Sequence, residues 1–209
     1  MKGLALSSLL ALTVASAVHA QVAAAAEQLY TGFNIWVLSK SQKHNQRFIN
    51  YKRGGNILPA GTPISNVQAL KSPPGSGFMG GDDSDFPGPH VYFETKDGTP
   101  YEILFKSGWH PGKTLDDYKN YLATSKNFDQ LTDGLTATEK EAIRKGAVVV
   151  GMSKEGVLIS YGPPAEHRTP SWDSNEWLYW TGKTSTKKIC FDKDEKAARC
   201  GDVTSAEEL

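Results

Sequence analysis

Cysteine is scarce in this chain, and its scarcity narrows the chemistry at once. Of 209 residues only Cys190 and Cys200 are cysteines, which excludes a disulfide-dense scaffold and a four-thiolate zinc site. The pair flanks a turn-like run, Asp192-Lys193-Asp194-Glu195-Lys196, with no histidine close by. That spacing predicts two thiols facing each other across a β-hairpin, bridged in an oxidising compartment, rather than a pair of metal ligands. Charge of one sign is missing as well, since 23 Lys and Arg balance 23 Asp and Glu. Binding to nucleic acid phosphates calls for a clustered cationic surface, so a nucleic-acid partner is not expected, nor is electrostatic docking onto anionic lipid. Groups of mixed sign, such as residues 192–196, read as solvated turns.

Long hydrophobic runs are also lacking. The one apolar stretch, residues 4–18, is rich in Ser and Thr and falls short of the ~20 residues of a spanning helix, so no direct membrane span is expected. Catalytic signatures are absent too. No Gly-x-Ser-x-Gly elbow or phosphate loop is present, and none of His44, His90, His110 and His167 has a second ligand at metal spacing. His110, in Trp-His-Pro-Gly, reads as a turn residue, and Glu166-His167 lies in a Pro-rich loop. The run Gly80-Gly81-Asp82-Asp83-Ser84-Asp85 offers clustered carboxylates, yet it lacks the alternating spacing and distal Glu of a calcium loop. It reads as a hydrophilic loop. The expectation is therefore no catalytic residue, no cofactor, no metal and no enzyme activity.

What is present begins with an export signal. Lys2 precedes the apolar stretch, and Val18-His19-Ala20 places small residues for cleavage between Ala20 and Gln21. Residue 21 is Gln and not Cys, which closes the usual route to acylation. The expected protein is exported, cleaved, not lipidated, and periplasmic or secreted. After a tether at residues 21–27, the chain reads as β to about Phe105, with strands near residues 30–38, 47–51, 64–70, 90–94 and 100–105. Lys96-Asp97-Gly98 marks a hairpin turn, and residues 72–89, with five Gly and repeated Pro, form a long loop.

Beyond Trp109-His110-Pro111-Gly112 the pattern turns helical. Thr114 caps a helix with Leu115, Tyr118 and Leu122 on one face; Thr136 and Glu139 form a capping-box pair before a helix ending at Gly146. Ser153 opens a third helix, with Val157, Leu158 and Tyr161 inward, stopped by Gly162-Pro163-Pro164. Strands return near residues 175–181, 186–192 and 197–202. The fold class expected is α+β: a small β-barrel domain at residues 28–112, then an α+β domain at residues 113–209 in which helices precede a three-stranded antiparallel sheet.

Aromatics concentrate in the last sheet. Trp172, Trp177, Tyr179 and Trp180 lie within nine residues, and in a strand Trp177 and Tyr179 point to one face, Leu178 and Trp180 to the other. Two readings stay open: domain packing, or an interaction surface, since Trp and Tyr dominate binding hot spots.

Gly151-Met152-Ser153-Lys154-Glu155-x-Val157-Leu158, then Gly162-x-Pro164, then Trp177-x-Tyr179, resembles the signature of the BamE (SmpA/OmlA) family of outer-membrane assembly lipoproteins. The resemblance covers roughly residues 136–202 and implies a helix-helix-three-strand fold acting through protein contacts. The family's lipidated Cys is missing here, and Gly156 weakens the helix's first turn. The same topology resembles β-lactamase-inhibitor proteins. Gly55-x-Ile57-x-Pro59-Ala60-Gly61-Thr62-Pro63-Ile64 resembles a bacterial Src-homology-type small barrel, which implies cell-wall or peptide binding. The resulting expectation is a non-enzymatic periplasmic protein with a protein partner in envelope assembly or maintenance. The alternatives are a secreted hydrolase inhibitor, a cell-wall-binding module, or an enzyme or ligand-binding protein using residues 82–85 and His90 or His110.

Overall fold

The computed structural model describes residues 27–37, 51–52, 56–71, 88–169, 171–182 and 184–201. The signal and its cleavage site at Ala20 and Gln21, nearly all of the tether, His44 and residues 82–85 lie outside the described residues. So does most of the strand expected at residues 47–51.

The fold is α+β. Strands β1 (Leu29–Thr31), β4 (Pro63–Leu70), β5 (His90–Thr95), β6 (Pro100–Leu104) and β7 (Ala123–Thr124) make an antiparallel sheet in the order β6-β5-β4-β1-β7. β2 (Ile35–Val37) and β3 (Asn56–Leu58) form a separate pair. The β5–β6 hairpin turns at Asp97-Gly98, where Gly98 takes φ 79° and Thr95 N–H donates to Thr99 O at 3.0 Å. The apolar alternation of β4 slips by one residue because the strand is bulged between Ser65 and Gln68, with Asn66 at φ 53°.

The N-terminal sheet departs from the expected small barrel. It stays open, with β6 and β7 as its two edges. Its inward side chains Ile64, Val91, Phe93 and Ile103 are instead covered by helix α1 (Leu115–Leu122) through Leu115, Tyr118 and Leu122. A helix that covers the apolar face removes the need for the sheet to curl onto itself. The strand expected over residues 30–38 is also broken. At Gly32 the chain passes so close to α1 that a Cβ would meet Tyr121 O at 2.5 Å, and β2 leaves the first sheet.

The second half follows the expected order. α2 (Phe128–Leu131), α3 (Ala137–Arg144) and α4 (Lys154–Tyr161) precede an antiparallel meander of β8 (Glu176–Trp180), β9 (Thr186–Phe191) and β10 (Ala197–Ala198). Thr114, Thr136 and Ser153 cap α1, α3 and α4 through their side chains. The last strand is shorter than residues 197–202, and Cys190 and Cys200 are joined by a disulfide across it, with Cα atoms 5.2 Å apart.

A second core crosses residue 112. Trp36 and Ala60 from the N-terminal half pack with Ile143, Met152, Val157, Tyr161, Trp177, Tyr179 and Phe191. Asn34, fully buried, fastens the seam: its Nδ2 donates to Ile143 O at 2.6 Å and its Oδ1 accepts from Ala60 N–H at 2.8 Å. Gly61 belongs to the same seam, because at φ 75° its Cα lies against α2, where a Cβ would stand 2.4 Å from Phe128 N.

Candidate functional site

Three stretches far apart in sequence converge at the open edge of β8. The loop after α4 runs along that edge: Ala165 N–H donates to Leu178 O at 2.8 Å, and Leu178 N–H donates to Thr169 Oγ1 at 3.1 Å. Lys52 continues the coverage, its N–H donating to Trp180 O at 2.8 Å. The short helical turn Ser107–Trp109 after β6 sits above, and Trp109 O accepts from His167 N–H at 3.4 Å.

This convergence builds an aromatic stack. Trp109 and Trp180 lie with ring centroids 4.9 Å apart at 24°, and His167 stacks on both at 5.8 Å. Cations flank it, with Lys106 Nζ 5.3 Å from the Trp109 centroid and Arg168 Cζ 5.6 Å from that of Trp180. Trp109 and Trp180 are half-buried, while His167 and Arg168 are exposed.

Beside the stack lies a small pocket of about 30 Å³, lined among others by Phe33, Lys52, His110, Tyr118, Pro164 and Trp180. His110 is held between Phe105 (centroids 5.5 Å, 14°) and Tyr118 (5.0 Å), and its Nδ1 pairs with Glu166 Oε2 at 3.3 Å. Burial, helped by the nearby charge of His167, pushes His110 down from 6.5 to about 4. Burial also pushes Glu166 up, against the pull of Lys113. His110 is therefore neutral at pH 7, and against ionised Glu166 its Nδ1–H is the donor, which leaves Nε2 as a lone pair. Burial raises the Tyr118 phenol and holds the Lys52 amine well below its ordinary value. That amine sits over the rings of Trp36 at 4.6 Å and Phe33 at 5.9 Å.

The four aromatic residues, read as either domain packing or an interaction surface, have separate fates. Trp177 and Tyr179 are each 1 % exposed, so their face of the sheet packs on the helices and cannot serve as a recognition surface. The physical reason is alternation: their inward face also carries Ile189 and Phe191, and the helices need that apolar layer. Trp172 is half-buried, accepting from Trp177 Nε1–H at 3.1 Å and tilted against Tyr121. Of these four, Trp180 is the one that joins Trp109 in both the pocket lining and the stack. His90 stands apart on β5, its Nδ1 paired with Gly88 O at 2.8 Å. Among the described residues no group of three or more His, Cys, Asp or Glu could hold a metal, and no helix is long and apolar enough to cross a membrane.

Lys52, Tyr118 and the His110–Glu166 pairing have no signature in the linear pattern. The Trp109-His110 and Pro163-Pro164 turns were the available signal, since each breaks a regular element beside a chemistry-bearing side chain. No protein-family model, curated protein or solved structure matches the chain.

Proposed function

We propose that this chain is a non-enzymatic envelope protein that works through protein–protein contacts in outer-membrane or envelope assembly or maintenance, and that it makes its contact at the Trp109–His167–Trp180 stack. The observation that carries the reading is this stack, accessible at the seam of the two halves and rimmed by Lys106 and Arg168. Rigid aromatic surface beside cations is the composition of interaction hot spots. The order α3, α4, then three antiparallel strands is in keeping with the BamE-like resemblance. The hydrolase-inhibitor alternative loses its motivating feature, because Trp177 and Tyr179 face inward. The cell-wall alternative drew on a closed small barrel, and the sheet is open.

The test is affinity capture from envelope extracts with wild type beside Trp109→Ala. A hot spot of about 2 kcal/mol would cut recovery of a specific partner by about 30-fold. Identical partners in identical amounts from the variant, folded as judged by circular dichroism, would refute the placement.

A further inference from the structure

Four polar side chains, those of Lys52, His110, Tyr118 and Trp180, line one pocket. The indole N–H of Trp180 is buried and unpaired. Among the described residues nothing hydrogen-bonds Tyr118 Oη or Lys52 Nζ, although both residues line the same space. His110, with Nδ1 committed to Glu166, presents Nε2. An unmet buried donor costs about 1–3 kcal/mol, and native interiors leave few of them. Among the described residues the Trp180 donor alone is buried and unmet; Lys52 Nζ and Tyr118 Oη, with no hydrogen-bond partner of their own, stay open to the pocket their residues line and to whatever acceptor fills it.

Their chemistry selects its kind. Trp180 and protonated Lys52 can only donate, Tyr118 donates as readily as it accepts, and of the four side chains His110 Nε2 alone must accept. The occupant must therefore be rich in acceptors. Apart from His110, neutral here, Lys52 is the sole ionisable base among the lining residues, and among the described residues it is held by the faces of Trp36 and Phe33 and bonded to no carboxylate. A negative charge would compensate it, and a cationic ligand would be repelled. About 30 Å³ has room for one small polar group such as a carboxylate. Trp109, Pro163 and Pro164 supply apolar wall for whatever the group is attached to.

The geometry points to a carboxylate site, in which Lys52 and Tyr118 donate to the two oxygens of a ligand's carboxyl group beside the Trp180 indole. The carboxyl group comes either from a small free acid or from the C-terminus of a peptide chain. This inference rests on the preceding reading only for the location of the site, and it supplies the chemistry that the aromatic stack alone does not.

The test is titration of the purified protein with acetate, N-acetyl-phenylalanine and N-acetyl-phenylalaninamide. Binding is followed by the indole N–H resonances of the five tryptophans, with that of Trp180 assigned from Trp180→Phe. Saturable movement of the Trp180 resonance by both acids, with the amide at least about tenfold weaker, supports the proposal. Equal affinity for the two acids identifies a small free acid as the source; a marked preference for the acylated amino acid identifies a chain terminus. Lys52→Met should weaken acid binding by about tenfold or more. Tyr118→Phe, which removes only a hydroxyl and keeps the packing, should weaken it by several-fold. A Trp180 resonance unmoved by either acid up to about 50 mM means the pocket holds only water and overturns the proposal, as does an amide that binds as well as the acid. The two readings fail separately: capture lost in Trp109→Ala with no acid binding keeps the stack and removes the carboxylate site, and acid binding with unchanged capture does the reverse.

Discussion

Replacing Glu139 by Gln should remove about 2–3 kcal/mol of stability at neutral pH, with no contact to the pocket. The carboxylate sits between the N-termini of α3 and α4. Oε2 accepts from Thr136 N–H and Oγ1–H, both at 2.9 Å, and Oε1 accepts from Ser153 N–H at 2.8 Å and Oγ–H at 2.7 Å. Each helix thus has its start satisfied by one side chain, and the two helices are tied together. Burial alone would raise the Glu139 pKa, but these four bonds outweigh it and bring it from 4.5 to about 2. The difference converts to about 3 kcal/mol favouring the ionised, folded form. Because the folded pKa is the lower one, this stability is complete above pH 4.5 and is lost as the pH falls through 2. A glutamine keeps the shape but turns an NH₂ toward one pair of donors, so roughly half the clamp is lost and one pair is left unmet. The assay is urea unfolding followed by tryptophan fluorescence, on wild type and variant, at about pH 7 and about pH 3. Wild type should approach the variant's midpoint as the pH falls. A variant within about 0.5 kcal/mol of wild type at neutral pH would refute the clamp.

Three further outcomes follow from the same geometry. His110 must gain a proton on unfolding anywhere between pH 6.5 and about 4, so stability is full above 6.5 and falls by about 3 kcal/mol through 4; His110→Phe, which keeps the ring stack, should flatten that limb of a stability–pH profile. Gly61→Ala forces a left-handed φ of 75° on alanine and a Cβ into the backbone of Phe128, and thermal denaturation should show a loss of about 2–4 kcal/mol. Serine at both Cys190 and Cys200 reopens the ten-residue link and should cost about 2–3 kcal/mol, measured as the drop in urea midpoint and matched by reducing the wild type.

The helices were legible because their signals are local. Thr114, Thr136 and Ser153 each precede an apolar face, and each caps the helix expected of it. The short α2 was not foreseen, although Asn127 and Gln130 form a reciprocal cap, because one turn carries too little periodicity to stand out. Gly156 reads in isolation as a weak point. In place it lets Glu139 and Met152 approach, where a Cβ would stand 2.9 Å from Met152 Cγ and 3.3 Å from Glu139 Oε1. That contact joins residues on two different helices, which no local pattern encodes.

The site was hidden for a related reason. Alternation along β8 correctly divides Trp177 and Tyr179 from Leu178 and Trp180, but it does not say which face meets the helices or what covers the strand's edge. An edge strand of this composition must be protected, since exposed N–H and C=O groups invite pairing with another chain. Here the protection is the loop carrying Ala165 and Thr169, together with Lys52. Covering the edge is what carries Glu166, His167 and the Lys52 amine to Trp109 and His110. The candidate site is thus a consequence of how β8 is closed off. It follows that Thr169→Val, which removes the Oγ1 acceptor of the Leu178 N–H, should loosen the Trp109–Trp180 stack before it unfolds the sheet, and near-ultraviolet circular dichroism of the tryptophans would register that loss while the far-ultraviolet signal held.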